Sequence, residues 1–132
     1  MMVMNLDNVL KEIKEKILSG DSKAKFKVNF VMANGSFEQS KHTAINKLLN
    51  TLQNNNFLVK EILISTKEKE YTPDYQVLAY WIKLDGKDLI IYFKGKYAKN
   101  EFIINEIDAY TYHGNIPWGI IKKYLDLYKK FF

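Results

Sequence analysis

The 132-residue sequence predicts one α+β domain over residues 1–132, with a four- to five-stranded sheet and helices packed mainly on one face. Three observations lead to this fold class. An amphipathic helical pattern opens the chain, strand-like segments fill most of its second half, and Asp85-Gly86 separates two of these segments as a hairpin turn signal. The predicted order of elements is α-β-α-β-β-β-β-α. A helix connects the first two strands and would allow them to run parallel, so the sheet is expected to be mixed or antiparallel.

The first two elements follow from two different periodicities. Apolar side chains recur three and four positions apart over residues 6–19, which predicts an amphipathic helix, and Gly20 is its expected C-terminal stop. Residues 25–32 alternate between apolar and mainly polar side chains, which predicts a strand with one apolar face.

The second helix is predicted from its capping residues. Ser36 with Gln39 three positions later forms a candidate capping box, and Ser40 is a rival N-cap. Three consecutive asparagines, residues 54–56, are expected to close this helix. Residues 57–65 are rich in β-branched and apolar side chains and predict the second strand.

The second half of the chain predicts three further strands and a last helix. The charged segment 66–74 is expected to be a loop, residues 95–101 a basic turn, and Pro117 the first turn of the final helix. The strands are expected over residues 75–84, 88–94 and 102–109.

The hairpin register defines one face whose role the sequence leaves open. A two-residue turn at Asp85-Gly86 places an apolar set of side chains on one face, which is expected to join the core. The other face mixes aromatic residues with lysines. It is either covered by a helix, with the lysine heads reaching solvent, or it is an exposed binding face. The candidate binding residues are Trp81, Lys83, Ile90, Tyr92 and Lys94.

The charge of the chain comes from lysine alone. Twenty lysines, no arginine and 15 acidic residues give a net charge of +5, which raises the prospect of nucleic-acid binding. The excess is spread evenly along the chain, and without arginine the usual bidentate contacts to guanine and phosphate are absent. These features favour a protein partner over a nucleic acid. Abundant lysine, asparagine and isoleucine without arginine suggests an AT-rich genome, and we expect a bacterial or phage origin.

Composition also excludes several classes of site. The absence of cysteine excludes disulfides, thiolate zinc sites and cysteine nucleophiles. No cofactor loop or metal-ligand cluster is evident, so neither a cofactor nor a metal is predicted. The apolar runs are too short to span a bilayer, and the first residues do not resemble a secretory signal. A cytoplasmic protein is therefore expected.

Two alternatives would make the protein an enzyme. A small ribonuclease toxin would use His42 and His113 as base and acid, together with a tyrosine or a lysine. The simpler interpretation is that one histidine lies near a helix start and the other in a loop. Pro73-Asp74 followed by Asp85-Gly86-Lys87 loosely resembles the PD-(D/E)xK nuclease signature, but the hairpin turn already explains the second half.

The leading prediction is a non-enzymatic protein-interaction module, of the inhibitor or immunity type, that acts by binding a partner protein. It is based on the absence of a catalytic motif and on the aromatic and lysine face of the hairpin. The alternative is a nucleic-acid-binding protein or a small ribonuclease toxin. A homodimer formed through the aromatic-rich last helix is a further alternative.

Overall fold

The computed structural model describes residues 5–64 and 75–112. Within them the chain forms an α+β domain of two helices and one open, five-stranded antiparallel sheet. The predicted loop over residues 66–74 and the predicted helix from Pro117 lie outside the described residues. The helices are α1 (Leu6–Leu18) and α2 (Phe37–Asn54), and the strands are β1 (Lys23–Asn34), β2 (Leu58–Ile64), β3 (Tyr75–Leu84), β4 (Lys87–Ala98) and β5 (Glu101–Tyr112).

Both helices are capped by short polar side chains. The Asn5 side chain accepts a hydrogen bond from the Asn8 backbone N–H at 2.8 Å and thereby starts α1. Ser36 is the N-cap of α2, with its hydroxyl accepting from the Gln39 N–H at 3.3 Å. The rival candidate Ser40 is instead buried inside α2, where its hydroxyl donates to the Ser36 carbonyl at 2.7 Å. The chain leaves α1 through Gly20, whose positive φ of 109° suits glycine.

The strand order across the sheet is β1-β5-β4-β3-β2, and every neighbouring pair is antiparallel. β1 and β2 therefore lie at opposite edges and do not pair with each other. α2 crosses the sheet between them and contacts β1, β5 and β2. The first and last described strands pair along their length, with Lys23 opposite Tyr110 and Asn34 opposite Glu101.

The core lies between the two helices and one face of the sheet. Tyr80 shows how closely the layers meet, because its buried hydroxyl donates to the Ile45 carbonyl of α2 at 2.8 Å and its ring packs edge-on against Phe93 at 5.3 Å. The other large, fully buried members include Leu10, Ile13, Ile17, Leu48, Leu52, Ile62, Leu78, Ile82 and Phe102.

The predicted basic turn over residues 95–101 is wrong. β4 continues to Ala98, and the turn consists of Lys99 and Asn100, which both have positive φ angles of 54° and 61°. Gly95 lies inside β4 at a register shift, where a Cβ atom would meet the Ile103 carbonyl oxygen at 2.3 Å. This glycine therefore permits close backbone approach between two strands and does not form a turn.

Candidate interaction surface

The face of the sheet opposite α1 and α2, called the back face here, carries all five predicted binding residues. β3 and β4 pair with Leu84 opposite Lys87. On the back face this register places Lys83 opposite Asp88, Trp81 opposite Ile90, Ala79 opposite Tyr92 and Val77 opposite Lys94.

The centre of the back face is buried. Ile90 has no exposed surface, and Ala79 and Val77, further along β3 on the same face, are also buried. Ile90 therefore packs inside the protein and is not accessible to a partner. The other four predicted residues, Trp81, Lys83, Tyr92 and Lys94, are partly exposed. They remain candidates for contact with a ligand.

A hydrogen bond to Asp88 orients Trp81 at the hairpin end of the back face. The indole N–H of Trp81 donates to Asp88 Oδ1 at 2.9 Å, and Lys83 Nζ lies 3.0 Å from the same oxygen. Burial acts to raise the pKa of Asp88, but the hydrogen bonds from Trp81 and Lys83 outweigh it and leave the pKa lowered. Trp81 and Lys83 are therefore oriented by a carboxylate from the neighbouring strand.

Three lysines and two carboxylates form a cluster across β1, β5 and β4. Glu106 contacts all three lysines. Its Oε1 lies 2.5 Å from Lys27 Nζ, and its Oε2 lies 3.2 Å from Lys94 Nζ and 4.0 Å from Lys25 Nζ. Asp108 carries the inner contact, with its Oδ2 2.6 Å from Lys94 Nζ. We call these five residues the lysine–carboxylate cluster.

Asp108 is the most constrained member of the cluster because its side chain has no exposed surface. Burial raises the pKa of Asp108 and the nearby Glu106 carboxylate adds to this, although Lys94 opposes both. Despite the close Lys94 ammonium, neither Asp108 oxygen accepts a hydrogen bond of good geometry from the described residues. Asp108 is therefore a buried carboxylate that depends on one lysine for its compensation.

The pKa of Glu106 is lowered and that of Lys94 is raised, so both groups favour their charged forms. The hydrogen bond from Lys27 and the contact with Lys94 lower the pKa of Glu106 to about 2. Burial acts to lower the pKa of Lys94, but Asp108 and Glu106 outweigh it and raise the pKa above its usual value. At neutral pH the structure thus favours an ionised Glu106 and a charged Lys94.

The exposed part of this region continues onto the edge strand β1. Lys23, Lys25 and Lys27 alternate along the strand, and the side chains of Lys25 and Lys27 are 59% and 81% exposed. Beside them the half-buried rings of Tyr92 and Tyr110 meet in an edge-on contact with centroids 5.9 Å apart. The most accessible part of the back face is therefore a row of lysines next to two tyrosines.

The residues of the enzyme alternatives do not form a described site. His42 is exposed on α2, and His113 lies outside the described residues. Pro73 and Asp74 also lie outside them, so the nuclease-like spacing stays untested. Within residues 5–64 and 75–112, no three His, Asp or Glu side chains are grouped closely enough to hold a metal ion.

Sequence reasoning missed the central part played by Glu106 and Asp108. The spacing of two residues within a strand puts both on one face, which is the signal that the sequence does offer. Their lysine partners come from β1 and β4, and Lys27 is 79 residues away from Glu106. Only the strand order β1-β5-β4 brings these groups together.

Comparisons with protein-family models, with curated proteins and with solved structures find no significant match for this chain. In the part of the chain that the structure describes, neither helix combines the length and the apolar character that a membrane crossing requires.

Proposed function

We propose that this chain is a non-enzymatic interaction module that binds a partner protein through the β1, β5 and β4 part of the back face. It would act as inhibitor or immunity-type proteins do, by occupying a surface of the partner. The observation that carries the proposal is the row of exposed lysines beside half-buried tyrosines. Aromatic side chains are enriched at the centres of protein interfaces, and a charged rim sets the choice of partner.

The pairing of the lysines favours a protein over a nucleic acid. Lys27 and Lys94 already contact Glu106 or Asp108 at 3.2 Å or less. A phosphate backbone that contacts Lys27 or Lys94 would have to compete with these carboxylates. A protein surface can offer separate groups to each lysine and each tyrosine. The even spread of the +5 charge over the sequence agrees with this preference.

Photo-crosslinking at a defined position tests the proposal. A benzophenone side chain would be placed at Lys23, which is exposed on β1 opposite Tyr110, and at Lys11, which is exposed on α1 as the matched control. In cells that express the chain, we expect the Lys23 position to give a discrete protein adduct and the Lys11 position to give none. The adduct should persist after nuclease treatment.

Three results would overturn the proposal. A nuclease-sensitive adduct at Lys23, with RNA or DNA binding that weakens steeply as salt rises, would establish the nucleic-acid alternative. Equal protein adducts from both positions would show that contact is non-specific. RNA degradation that is lost in His42→Ala or His113→Ala would instead establish the ribonuclease alternative.

A further inference from the structure

β1 is a long strand at an edge of the sheet. It spans 12 residues, Lys23–Asn34, and pairs with β5 on one side. No described strand pairs with its other side. An edge of this kind presents backbone N–H and C=O groups to any extended segment that can lie beside it.

Only the first part of this edge is regular. From Lys23 to Lys27 the pairing with β5 proceeds one residue at a time, from Tyr110 to Glu106. Register shifts follow between Lys27 and Phe30 and between Val31 and Ala33, and such bulges bend a strand and interrupt its ladder. A strand that adds to β1 would therefore pair along residues 23–27.

The side chains along this regular part define a pattern on each face. Lys23, Lys25 and Lys27 are exposed on the back face, while Ala24 and Phe26 point towards the core. Phe26 is only partly buried, so it offers apolar contact at the edge. A matching segment would carry negative charges at alternate positions and apolar side chains at the positions between them.

The same lysines disfavour a second copy of this chain as the occupant. Two copies that paired through residues 23–27 in the antiparallel sense would place lysine beside lysine across the new strand pair, and like charges directly opposite are destabilising. Lysines and bulges on an edge strand are a known protection against such self-pairing. The lysines that disfavour self-pairing would at the same time favour a partner strand of opposite charge.

We propose that the partner contributes an acidic extended segment, with carboxylates at every second residue, which pairs as an added strand along residues 23–27 of β1. This inference rests on the proposed function and specifies the chemistry of the partner. Backbone hydrogen bonds would supply the pairing, and the lysine row would select the sequence.

Defined peptides test the inference with the purified full chain. The first peptide alternates glutamate and valine over eight residues, the second has the same composition with its glutamates contiguous, and the third alternates lysine and valine. Binding would be measured by calorimetry, and amide hydrogen exchange would locate the protected backbone. We expect the alternating acidic peptide to bind more tightly than the other two and to protect amides in residues 23–27.

Two matched double variants distinguish peptide binding at the β1 edge from non-specific attraction between the acidic peptide and surface lysines. Lys23→Gln with Lys25→Gln should weaken binding of the alternating acidic peptide about fivefold, as expected for the loss of two surface charge pairs. Lys11→Gln with Lys60→Gln removes the same charge from exposed positions outside β1 and should leave the affinity unchanged. Lys27 is not altered, because its Nζ lies 2.5 Å from Glu106 Oε1, whereas Lys25 Nζ lies 4.0 Å from Glu106 Oε2 and can be changed without breaking a short ion pair.

The outcomes distinguish the inference from the proposed function. Three results would overturn the added strand: equal binding of the contiguous and alternating acidic peptides, amide protection outside residues 23–27, or no binding of either acidic peptide. In each case the crosslinking experiment would still decide whether a protein partner exists. Tighter binding of oligothymidylate than of any peptide at low salt would overturn both. Concentration-dependent dimerisation that protects the amides of residues 23–27 would show that a second copy of the chain, and not an acidic segment, pairs with this edge.

Discussion

The buried Asp108 makes Lys94 the most sensitive position of the lysine–carboxylate cluster. Replacing Lys94 with methionine should lower the free energy of unfolding by about 2–3 kcal/mol at pH 7. Methionine keeps an unbranched side chain but removes the ammonium group 2.6 Å from Asp108 Oδ2 and 3.2 Å from Glu106 Oε2. Removing one partner of a fully buried ion pair costs about 3–5 kcal/mol, because the other charge stays uncompensated. The Lys94 side chain is 28% exposed, so solvent screening should reduce this cost.

The destabilisation should shrink as the pH falls. Burial and the nearby Glu106 raise the pKa of Asp108 in the folded protein, and loss of Lys94 should raise it further. A carboxyl group whose folded pKa lies above its unfolded pKa binds its proton more tightly in the folded state. Acidification through the folded pKa therefore favours folding and removes the charge that Lys94 compensates. At pH 4 we expect the difference between Lys94→Met and the parent protein to fall below about 1 kcal/mol.

Urea unfolding followed by tryptophan fluorescence at both pH values measures this difference. Adding Asp108→Asn to Lys94→Met should recover most of the stability at pH 7, because no buried charge then remains. Lys83→Met is the control: Lys83 pairs with the partly exposed Asp88, so its loss should cost at most about 1 kcal/mol. Equal destabilisation by Lys94→Met at pH 7 and pH 4 would refute the argument that a buried Asp108 charge is the cause.

Substitutions at three further positions test the fold, each by urea or thermal unfolding. Gly95→Ala should cost about 1–3 kcal/mol, because its Cβ would lie 2.3 Å from the Ile103 carbonyl oxygen; unchanged stability would show that the strands separate freely there. Tyr80→Phe should cost about 1 kcal/mol through loss of the 2.8 Å hydrogen bond to Ile45, and a cost near zero would contradict that bond. Ser36→Ala should cost about 1 kcal/mol and Ser36→Gly only a few tenths; equal costs would argue against side-chain capping of α2.

The sequence predicts much of the fold because many of its determinants are local. Helix starts depend on a capping side chain and on apolar spacing within a few residues, as at Ser36 and in α1. Strand alternation is likewise local. Strands β1, β4 and β5 are longer than predicted, with β4 reaching Ala98 and β5 reaching Tyr112, because pairing with neighbours extends a ladder beyond the residues that favour it.

The strand order depends on information that no local pattern contains. β1 could pair with any antiparallel neighbour, and its position beside β5 joins residues that are up to 87 positions apart, such as Lys23 and Tyr110. Gly95 illustrates the same limit. A glycine within lysines and a tyrosine suggests a turn, and only the close approach of Ile103 explains why the strand continues through it.

The sequence predicts which side chains share the back face, but it does not predict which of them are accessible to a ligand. The Asp85-Gly86 turn places Trp81, Ile90 and Tyr92 on one face whatever covers that face. Burial then separates them, because Ile90 is inaccessible while Trp81 and Tyr92 keep exposed surface. Periodicity gives the direction of a side chain, whereas its exposure depends on the rest of the fold.

Local pairing decides which lysines are available to a ligand. A ligand that approaches Lys94 competes with Asp108 and Glu106, whose oxygens lie 2.6 and 3.2 Å from Lys94 Nζ, and the loss of either contact leaves a poorly compensated carboxylate. Lys25 lies 4.0 Å from Glu106 and is 59% exposed, so it can engage a new carboxylate without breaking the shorter pairs. The edge of β1 is therefore the part of the back face where binding costs the fold least, and Lys23→Gln with Lys25→Gln should weaken binding of the proposed partner while leaving stability nearly unchanged.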